Sequence, residues 1–270
     1  MCRHLAYLGP PIPLAELLFD PPHSLCHQSW APRDMRGGGT INADGFGVGW
    51  YPALLTNTHH PTTPALLTNT HHHSSAHPPV RYRRHTPLWS DTTLPALAAT
   101  LTAGAVLAAV RSATAGMPVV ETAAAPFGDG RWLFSHNGVV RGWPGSVAKL
   151  AAALPTEDLL TLEAPTDSAL LWALVRNRLQ AGASPADAVT GVVTEVARAA
   201  PGSRLNLLVT DGSTIVATTA GHALSVRRDD HCVLVSSEPL DDDPSWQPVP
   251  EHTLLVADAT GLALTRMGDT

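Results

Sequence analysis

Position 2 is where the chain first offers chemistry. Cys2 directly follows Met1, and so small a side chain there suits the enzyme that trims initiator methionine, so maturation by a methionine aminopeptidase is expected. The exposed residue then carries a thiol and a free α-amine. Such an amine has a reference pKa of about 8, well below that of lysine, so near pH 7 it is partly neutral and able to take the thiol proton directly or through water. Nucleophile and base come from one residue. His4 is the neighbouring alternative base, but along a strand it is expected to face away. The remaining cysteines, Cys26 and Cys232, are too few and too scattered for a disulfide framework or a CxxC metal site.

A thiolate that attacks an amide creates a tetrahedral oxyanion, which needs fixed hydrogen-bond donors. In the segment HNG, Asn137 offers a side-chain NH₂ and Gly138 a backbone N–H, each contact of this type contributing on the order of 3 kcal/mol. Asn-Gly is also the strongest short signal for a type I′ hairpin turn, and taken alone the turn is the simpler expectation. Arg111 emerges from the end of the apolar run AVLAAV, a placement suited to bidentate capture of a carboxylate or, equally on spacing, to a surface ion pair. Ser112 and Thr114 place hydroxyls beside it. Asp167, in PTDSALLW, reads either as the N-cap of the following helix or as the partner of an ammonium group. An Arg for a carboxylate and an Asp for an amine would together hold the α-amino acid end of a glutamyl group, leaving its side-chain amide to Cys2.

These residues need elements to hold them. CRHLAYLG alternates as a strand with Cys2 at its open end, and a short amphipathic piece, LAELLFD, follows. In GFGVGWY, Phe46, Val48 and Trp50 alternate with glycines, so one strand face lacks side chains and lets another backbone or a ligand approach. The same glycines do not form a dinucleotide fingerprint, because the spacing is wrong and a Tyr-Pro loop follows instead of a helix. Further on, TLPALAATLTAG reads as helix, AVLAAV as strand, and RWLFS as a strand that breaks at HNG. Helices are expected at SVAKLAAAL, at SALLWALVRNRLQ with Leu170, Leu171, Leu174, Val175 and Leu179 on one face, and at PADAVTGVVTEVARAA with Ser184 as N-cap and Pro185 next. The rest reads as three hairpins, RLNLLV with TIVATTA, HALSVRR with CVLVSS, and HTLLVAD with LALTRM. Strands, then helices, then antiparallel strands imply an α+β fold. A single domain spanning residues 2–270 is expected.

The nonapeptide PALLTNTHH occurs twice, at 52–60 and 64–72, and seven of the fourteen histidines lie between 52 and 85. Histidine density raises a metal-binding reading, yet Pro and Thr clusters supply no rigid element to preorganise ligands. A disordered, duplicated insertion over 52–85 is the expectation, with no metal and no organic cofactor required. A net charge of -6 without any Lys/Arg block argues against nucleic acid as a partner. Neither a secretory signal nor an apolar run of membrane-spanning length occurs, so a cytoplasmic protein with a small-molecule substrate and no membrane contact is expected.

Taken together and in this order, Cys2, NADGFGVGWY, VRSAT, HNG and TDS before a helix resemble the class II glutamine amidotransferases of the N-terminal-nucleophile hydrolase superfamily. The resemblance implies a four-layer αββα sandwich. It implies also that Cys2 is the nucleophile, that Asn137 and Gly138 form the oxyanion hole, and that Arg111 and Asp167 clamp the glutamyl carboxylate and amine. A narrower resemblance, carried by MCRHL, LFDPPHSL, AAVRSATAGMP, APFGDGRWLFSHNGVV and SSEPLDDDPSW, is to the hydrolase family of ergothioneine biosynthesis that removes the γ-glutamyl group from γ-glutamyl-hercynylcysteine sulfoxide. Two departures stand out. The insertion has no counterpart in the family, and the aromatic or histidine common after the clamp arginine is replaced by Ser112 and Ala115.

The amidase pattern extends from Cys2 through Asp167, and the final hairpins complete its sheets. A second catalytic domain is not expected. Two other readings stay open: a glutaminase subunit that passes ammonia to a separate synthase, and a non-catalytic binding protein on the same fold. Apolar groups such as Trp50 and Trp246 are candidates to hold a leaving group larger than ammonia.

Overall fold

A computed structural model describes residues 2–36, 41–52 and 78–268. Strand β1 (Arg3–Pro13) is followed by two short helices, α1 (Ala15–Leu18) and α2 (Leu25–Trp30), then β2 (Phe46–Pro52), β3 (Val80–Arg84), α3 (Leu94–Thr100) and β4 (Thr102–Val110). The middle of the chain supplies β5 (Phe127–Asp129), β6 (Trp132–Val139) and helices α4 (Ala148–Ala152), α5 (Thr156–Leu160), α6 (Asp167–Gln180) and α7 (Pro185–Ala199). Strands β7 (Arg204–Thr210), β8 (Thr214–Thr219), β9 (Ser225–Arg228), β10 (Val233–Ser236), β11 (Gln247–Pro248), β12 (Thr253–Asp258) and β13 (Leu262–Arg266) complete the order.

These strands form two antiparallel sheets. The first runs β11, β9, β10, β1, β4, β2, β3, and the second β13, β12, β8, β7, β6, β5. Strand β1 is central, flanked by β10 and β4, and alternation sorts its side chains. Leu5 and Tyr7 join Phe46, Val48, Val106 and Ala108 against α1 to α3, while Ala6 and Leu8 meet Leu133, Leu208 and Ala217 between the sheets. A third apolar layer packs α6 and α7 on the outer face of the second sheet through Phe134, Trp172, Val189, Val193, Leu205 and Leu207. Three apolar layers separate four layers of structure, the αββα sandwich that the resemblance implies.

The bare face of β2 serves the close approach anticipated for it. A Cβ on Gly47 would collide with the Ala125 carbonyl, and one on Gly49 would meet Leu133 at 2.7 Å. The second sheet can therefore lie tight against the first.

Local expectations were overridden in three places. The HNG segment is no turn: β6 runs through it to Val139, with Asn137 opposite Asn206 and Gly138 opposite Leu205 on β7. Pairing with a long partner strand outweighs the local turn preference of Asn-Gly. Asp167 is not the N-cap of α6, because Thr166 holds that place and its hydroxyl accepts from the Ala169 N–H. The insertion expected at 52–85 is too broad. Pro52 still belongs to β2, and VRYRR forms β3, pairing with β2 from Val80 to Arg84 while the Tyr82 ring packs beside Phe46. Residues 53–77, with both copies of the nonapeptide, lie outside the described residues.

Candidate active site

Strand parity brings the site together. Because Ala6 and Leu8 face the second sheet, Cys2 and His4 do so as well. On β6, Leu133 faces inward and Phe134 outward, so Ser135 and Asn137 look back towards β1. The two sets meet where the His4 Nδ1 lies 3.1 Å from the Ser135 hydroxyl. Ser237, just beyond β10, closes the gap. Its hydroxyl accepts from the His4 N–H at 3.0 Å and from Asn137 Nδ2 at 3.5 Å. Asn137 thus stands at the end of the sandwich where Cys2 leads into β1.

On the other side of β1, the pairing of Arg3 with Val110 sets Arg111 and Ser112 beside Cys2. Ser112 presents its carbonyl there, 3.8 Å from the Cys2 sulfur. The Arg111 main chain is locked to the NADG segment: Asp44 N–H donates to the Arg111 carbonyl at 3.0 Å and Arg111 N–H to the Gly45 carbonyl at 2.7 Å. The Asp44 carboxylate accepts from Ala113 N–H at 2.7 Å. One guanidinium nitrogen, Nη1, donates to the carbonyls of Pro118 and Asp44. The rest of the planar fork has no hydrogen-bond partner among the described residues. Thr114 is exposed and contributes its carbonyl to a turn with Met117; among the described residues no hydrogen bond brings its hydroxyl to the cluster.

Asp167 arrives from the second sheet's helix layer. One carboxylate oxygen accepts from the Val140 N–H at 3.0 Å and the other from Ser168 N–H at 2.8 Å, tying the first turn of α6 to the end of β6. Beneath Gly138, the His136 Nε2 donates to the Arg204 carbonyl, and its Nδ1 meets the Ser168 hydroxyl, both at 3.0 Å. A Cβ at position 138 would strike that carbonyl and the His136 ring, so the position accepts only glycine. Cys2, Asn137, Gly138, Arg111 and Asp167 therefore converge on one end of the sandwich.

His4 shares the face of Cys2 rather than facing away, but it is no base. Burial, with the nearby His136, His222 and Arg3, holds its pKa down to about 3. His222 is likewise pushed to about 3 by burial and the Arg204 charge, and the Arg204 Nε donates to its Nε2 at 3.0 Å. A small cavity bordered by Arg3, Asp34, Asn137, His222, Ala223 and Ser237 opens between them. The Asn137 Oδ1 is buried without a partner among the described residues.

One structural group escaped sequence reasoning. Glu238, 3% exposed, accepts from Arg3 Nε at 2.8 Å, His23 Nε2 at 2.6 Å, Arg33 N–H at 2.8 Å and Asp34 N–H at 3.1 Å. Burial alone would raise its pKa; the His23 and Arg33 hydrogen bonds, the Arg3 charge and the Asp34 N–H outweigh that and hold it at about 2. Arg3 also donates to the Cys2 carbonyl at 3.0 Å and to the Asp34 carbonyl, so Glu238 fixes the residue that fixes Cys2. The traces of Glu238 in the sequence are an acidic residue two positions after a buried strand and its place in the segment SSEPLDDDPSW.

Trp50 and Trp246 do not reach the cluster, since both pack in the helix-side layer of the first sheet. The thiols of Cys26 and Cys232 are pushed up, chiefly by burial, the latter to about 11, as befits unreactive positions. Among the described residues no group of three or more His, Cys, Asp or Glu side chains is arranged to hold a metal. None of their helices is long and apolar enough to cross a membrane.

The sandwich is that of the class II glutamine amidotransferases, the N-terminal-nucleophile hydrolase type. A solved glutamine aminotransferase class-II domain protein from Silicibacter pomeroyi matches with a TM-score of 0.66 and 24% identity, over 99% of this chain and 100% of that one. The glutamine phosphoribosylpyrophosphate amidotransferase of B. subtilis matches with a TM-score of 0.62 and 11% identity, over 100% of this chain and 50% of that one. No family model matches the sequence. Whole-length relatives are more specific: the γ-glutamyl-hercynylcysteine sulfoxide hydrolase of Mycolicibacterium smegmatis is 40% identical over 96% of this chain and 97% of its own. Its namesake from Mycobacterium tuberculosis is 38% identical over 99% and 97%. The chain belongs to the γ-glutamyl-hercynylcysteine sulfoxide hydrolase family.

Proposed function

We propose that the chain hydrolyses the γ-glutamyl amide of γ-glutamyl-hercynylcysteine sulfoxide, the substrate named for its relatives, through a thioester on Cys2. The observation that carries the proposal is the convergence of Cys2, Asn137, Arg111 and Asp167 from four separate elements. After removal of Met1, the α-amine of Cys2 takes the thiol proton and the sulfur adds to the amide carbon. The oxyanion is met by Asn137 Nδ2 and Gly138 N–H. Arg111 holds the substrate carboxylate with the unpaired part of its fork, and Asp167 takes the α-ammonium on the lone pairs its two backbone donors leave open. As the C–N bond breaks, the protonated Cys2 amine returns its proton to the departing amine, leaving a γ-glutamyl thioester. Water then adds to that carbonyl as the Cys2 amine takes its proton, the thiolate leaves and recovers that proton from the amine, and glutamate is released. This chemistry needs neither metal nor organic cofactor.

The test is glutamate release by the purified protein from γ-glutamyl-hercynylcysteine sulfoxide and from glutamine, with N-terminal sequencing of the same sample. Faster turnover of the larger substrate by protein that starts at Cys2 supports the proposal. Faster turnover of glutamine transfers the chain to ammonia supply for a synthase. Absence of both turnover and an adduct with a glutamine-mimicking electrophile makes it a binding protein.

A further inference from the structure

Strand β7 turns Leu205 and Leu207 outward to the helices and Leu208 inward, so alternation carries Arg204 to the inner face that Asn137 and Asn206 use. Arg204 pairs with Val139, two residues beyond Asn137 on β6, and its carbonyl already lies against Gly138. At about 3.3 Å per residue, its Cα stands roughly 7 Å past the Asn137 pair, towards the open end of the sheet. Two neighbours lay down its stem. A Cβ on Gly221 would meet the Arg204 Cγ at 2.6 Å, so the missing side chain is what lets the methylenes cross that turn. Beyond it, Nε donates to His222 Nε2 at 3.0 Å, and His222 borders the small cavity together with Arg3, Asn137 and Ser237.

This guanidinium is held without being neutralised. His222 is an uncharged ring, and the half-buried Arg204 forms no ion pair among the described residues. Glu251, which accepts from the Gly221 N–H, lies 3.8 Å from Arg36 instead. Burial, with the exposed Arg141 nearby, pushes the Arg204 pKa down, the direction expected where a counter-charge is missing. Both Nη groups remain for an acceptor from outside the chain, and a carboxylate matches their planar geometry.

We infer that Arg204 selects γ-glutamyl amides whose leaving nitrogen bears a carboxylate, as the nitrogen of an amino acid does, by pairing its fork with that group. The inference rests on the proposed hydrolysis and defines the leaving side of the same site. Arg111 comes from the first sheet beside Cys2, and Arg204 from the second sheet beside Asn137. Two forks that no carboxylate of the described residues neutralises therefore flank the reacting groups from opposite sheets. A γ-glutamyl amino acid carries two carboxylates, one on each side of the scissile amide, whereas glutamine carries one. The second arginine has no partner in glutamine and a fitting one in the larger substrate.

The experiment is calorimetric titration of the full chain carrying Cys2→Ala, which binds without turnover, with γ-glutamylalanine and with γ-glutamylethylamide. These ligands differ by the one carboxylate. The alanine compound should bind at least about tenfold tighter, the usual worth of a charge-assisted pair. Adding Arg204→Met should bring the ratio of the two affinities to about one, because the charge is gone. Arg204→Gln, which keeps the stem over Gly221, reads the same ratio if the first variant does not fold, and melting curves establish folding. Equal binding of the two ligands to Cys2→Ala, binding of neither, or an unchanged ratio in a folded Arg204 variant would each overturn the inference. Glutamate release by the unsubstituted chain is assayed alongside. Its absence, with the affinity ratio intact, defeats the proposed hydrolysis and leaves Arg204 its ligand; release from γ-glutamyl-hercynylcysteine sulfoxide with equal affinities defeats this inference alone.

Discussion

Replacing Glu238 by Gln tests whether the buried ion cluster behind Cys2 does what its geometry implies. The carboxylate receives four donors, from Arg3, His23, Arg33 and Asp34. An amide keeps the shape but sets its own NH₂ against at least one of those donors and leaves Arg3, itself 3% exposed, without a counter-charge. The pKa of Glu238 falls from 4.5 to about 2 on folding. At about 1.36 kcal/mol per pH unit, that difference corresponds to about 3 kcal/mol. Breaking a buried pair from one side costs about 3–5 kcal/mol, which agrees. At roughly 2–4 °C per kcal/mol for a chain of this size, Glu238→Gln should melt roughly 6–12 °C below the wild type at pH 7.

The sign with pH follows from the depressed pKa. The stabilisation is complete above 4.5, the unfolded value, and is lost as pH falls from there towards about 2. Melting followed by circular dichroism across that range should show the wild type descending towards the variant, so that the two converge in acid. Because Arg3 also holds the Cys2 carbonyl, kcat should fall more than KM rises. A variant that melts within 2 °C of the wild type at pH 7, or a gap that stays constant down to pH 2, refutes the reasoning.

Asn137→Ala should lower kcat about 10²- to 10³-fold with little change in KM, the usual loss for one oxyanion donor; steady-state glutamate release measures it, and an unchanged kcat removes Asn137 from that role. Gly138→Ala drives a methyl group into the Arg204 carbonyl and the His136 ring, so loss of soluble protein or a lower melting temperature is expected, and a variant of normal stability and activity contradicts the packing. Asp44→Ala releases the Ala113 N–H and loosens the loop behind Arg111. It should raise KM about fivefold, as one hydrogen bond of about 1 kcal/mol would, with kcat nearly intact. His4 and His222 are both held near 3, so the unfolded chain takes up protons below pH 6.5 that the folded chain refuses. Urea midpoints should therefore fall between pH 6.5 and 3, and a midpoint rising over that span speaks against two buried neutral imidazoles.

Much of this architecture is written in local patterns. CRHLAYLG, AVLAAV and the C-terminal hairpins read as strands because alternation and β-branched content need no distant partner to be seen, and Ser184 with Pro185 marks the start of α7 by capping chemistry that sits within four residues. The HNG segment resisted such reading. Its local preference is for a turn, and what converts it to strand is register against β7, 69 positions further along at Asn206 opposite Asn137. Asp167 is similar: its type suits a cap, but Thr166 one residue earlier takes the cap, which frees Asp167 to bind Val140.

By itself, then, the sequence determined which groups exist and in what order: a cysteine beside the initiator, an arginine closing an apolar strand, an Asn-Gly pair, an acid at a helix start. It determined the α+β class as well, since period-two and period-3.6 patterns are local and additive along the chain, while the four-layer sandwich was implied by the family resemblance. Only the tertiary structure decided which faces those groups share, that His4 is a buried neutral ring and not a base, and that Glu238 stands behind Arg3 from 235 positions away. The reason is physical. Burial, ion pairing and strand register are energies between elements, and their size depends on distance in space, which neighbouring residues in the chain do not reveal.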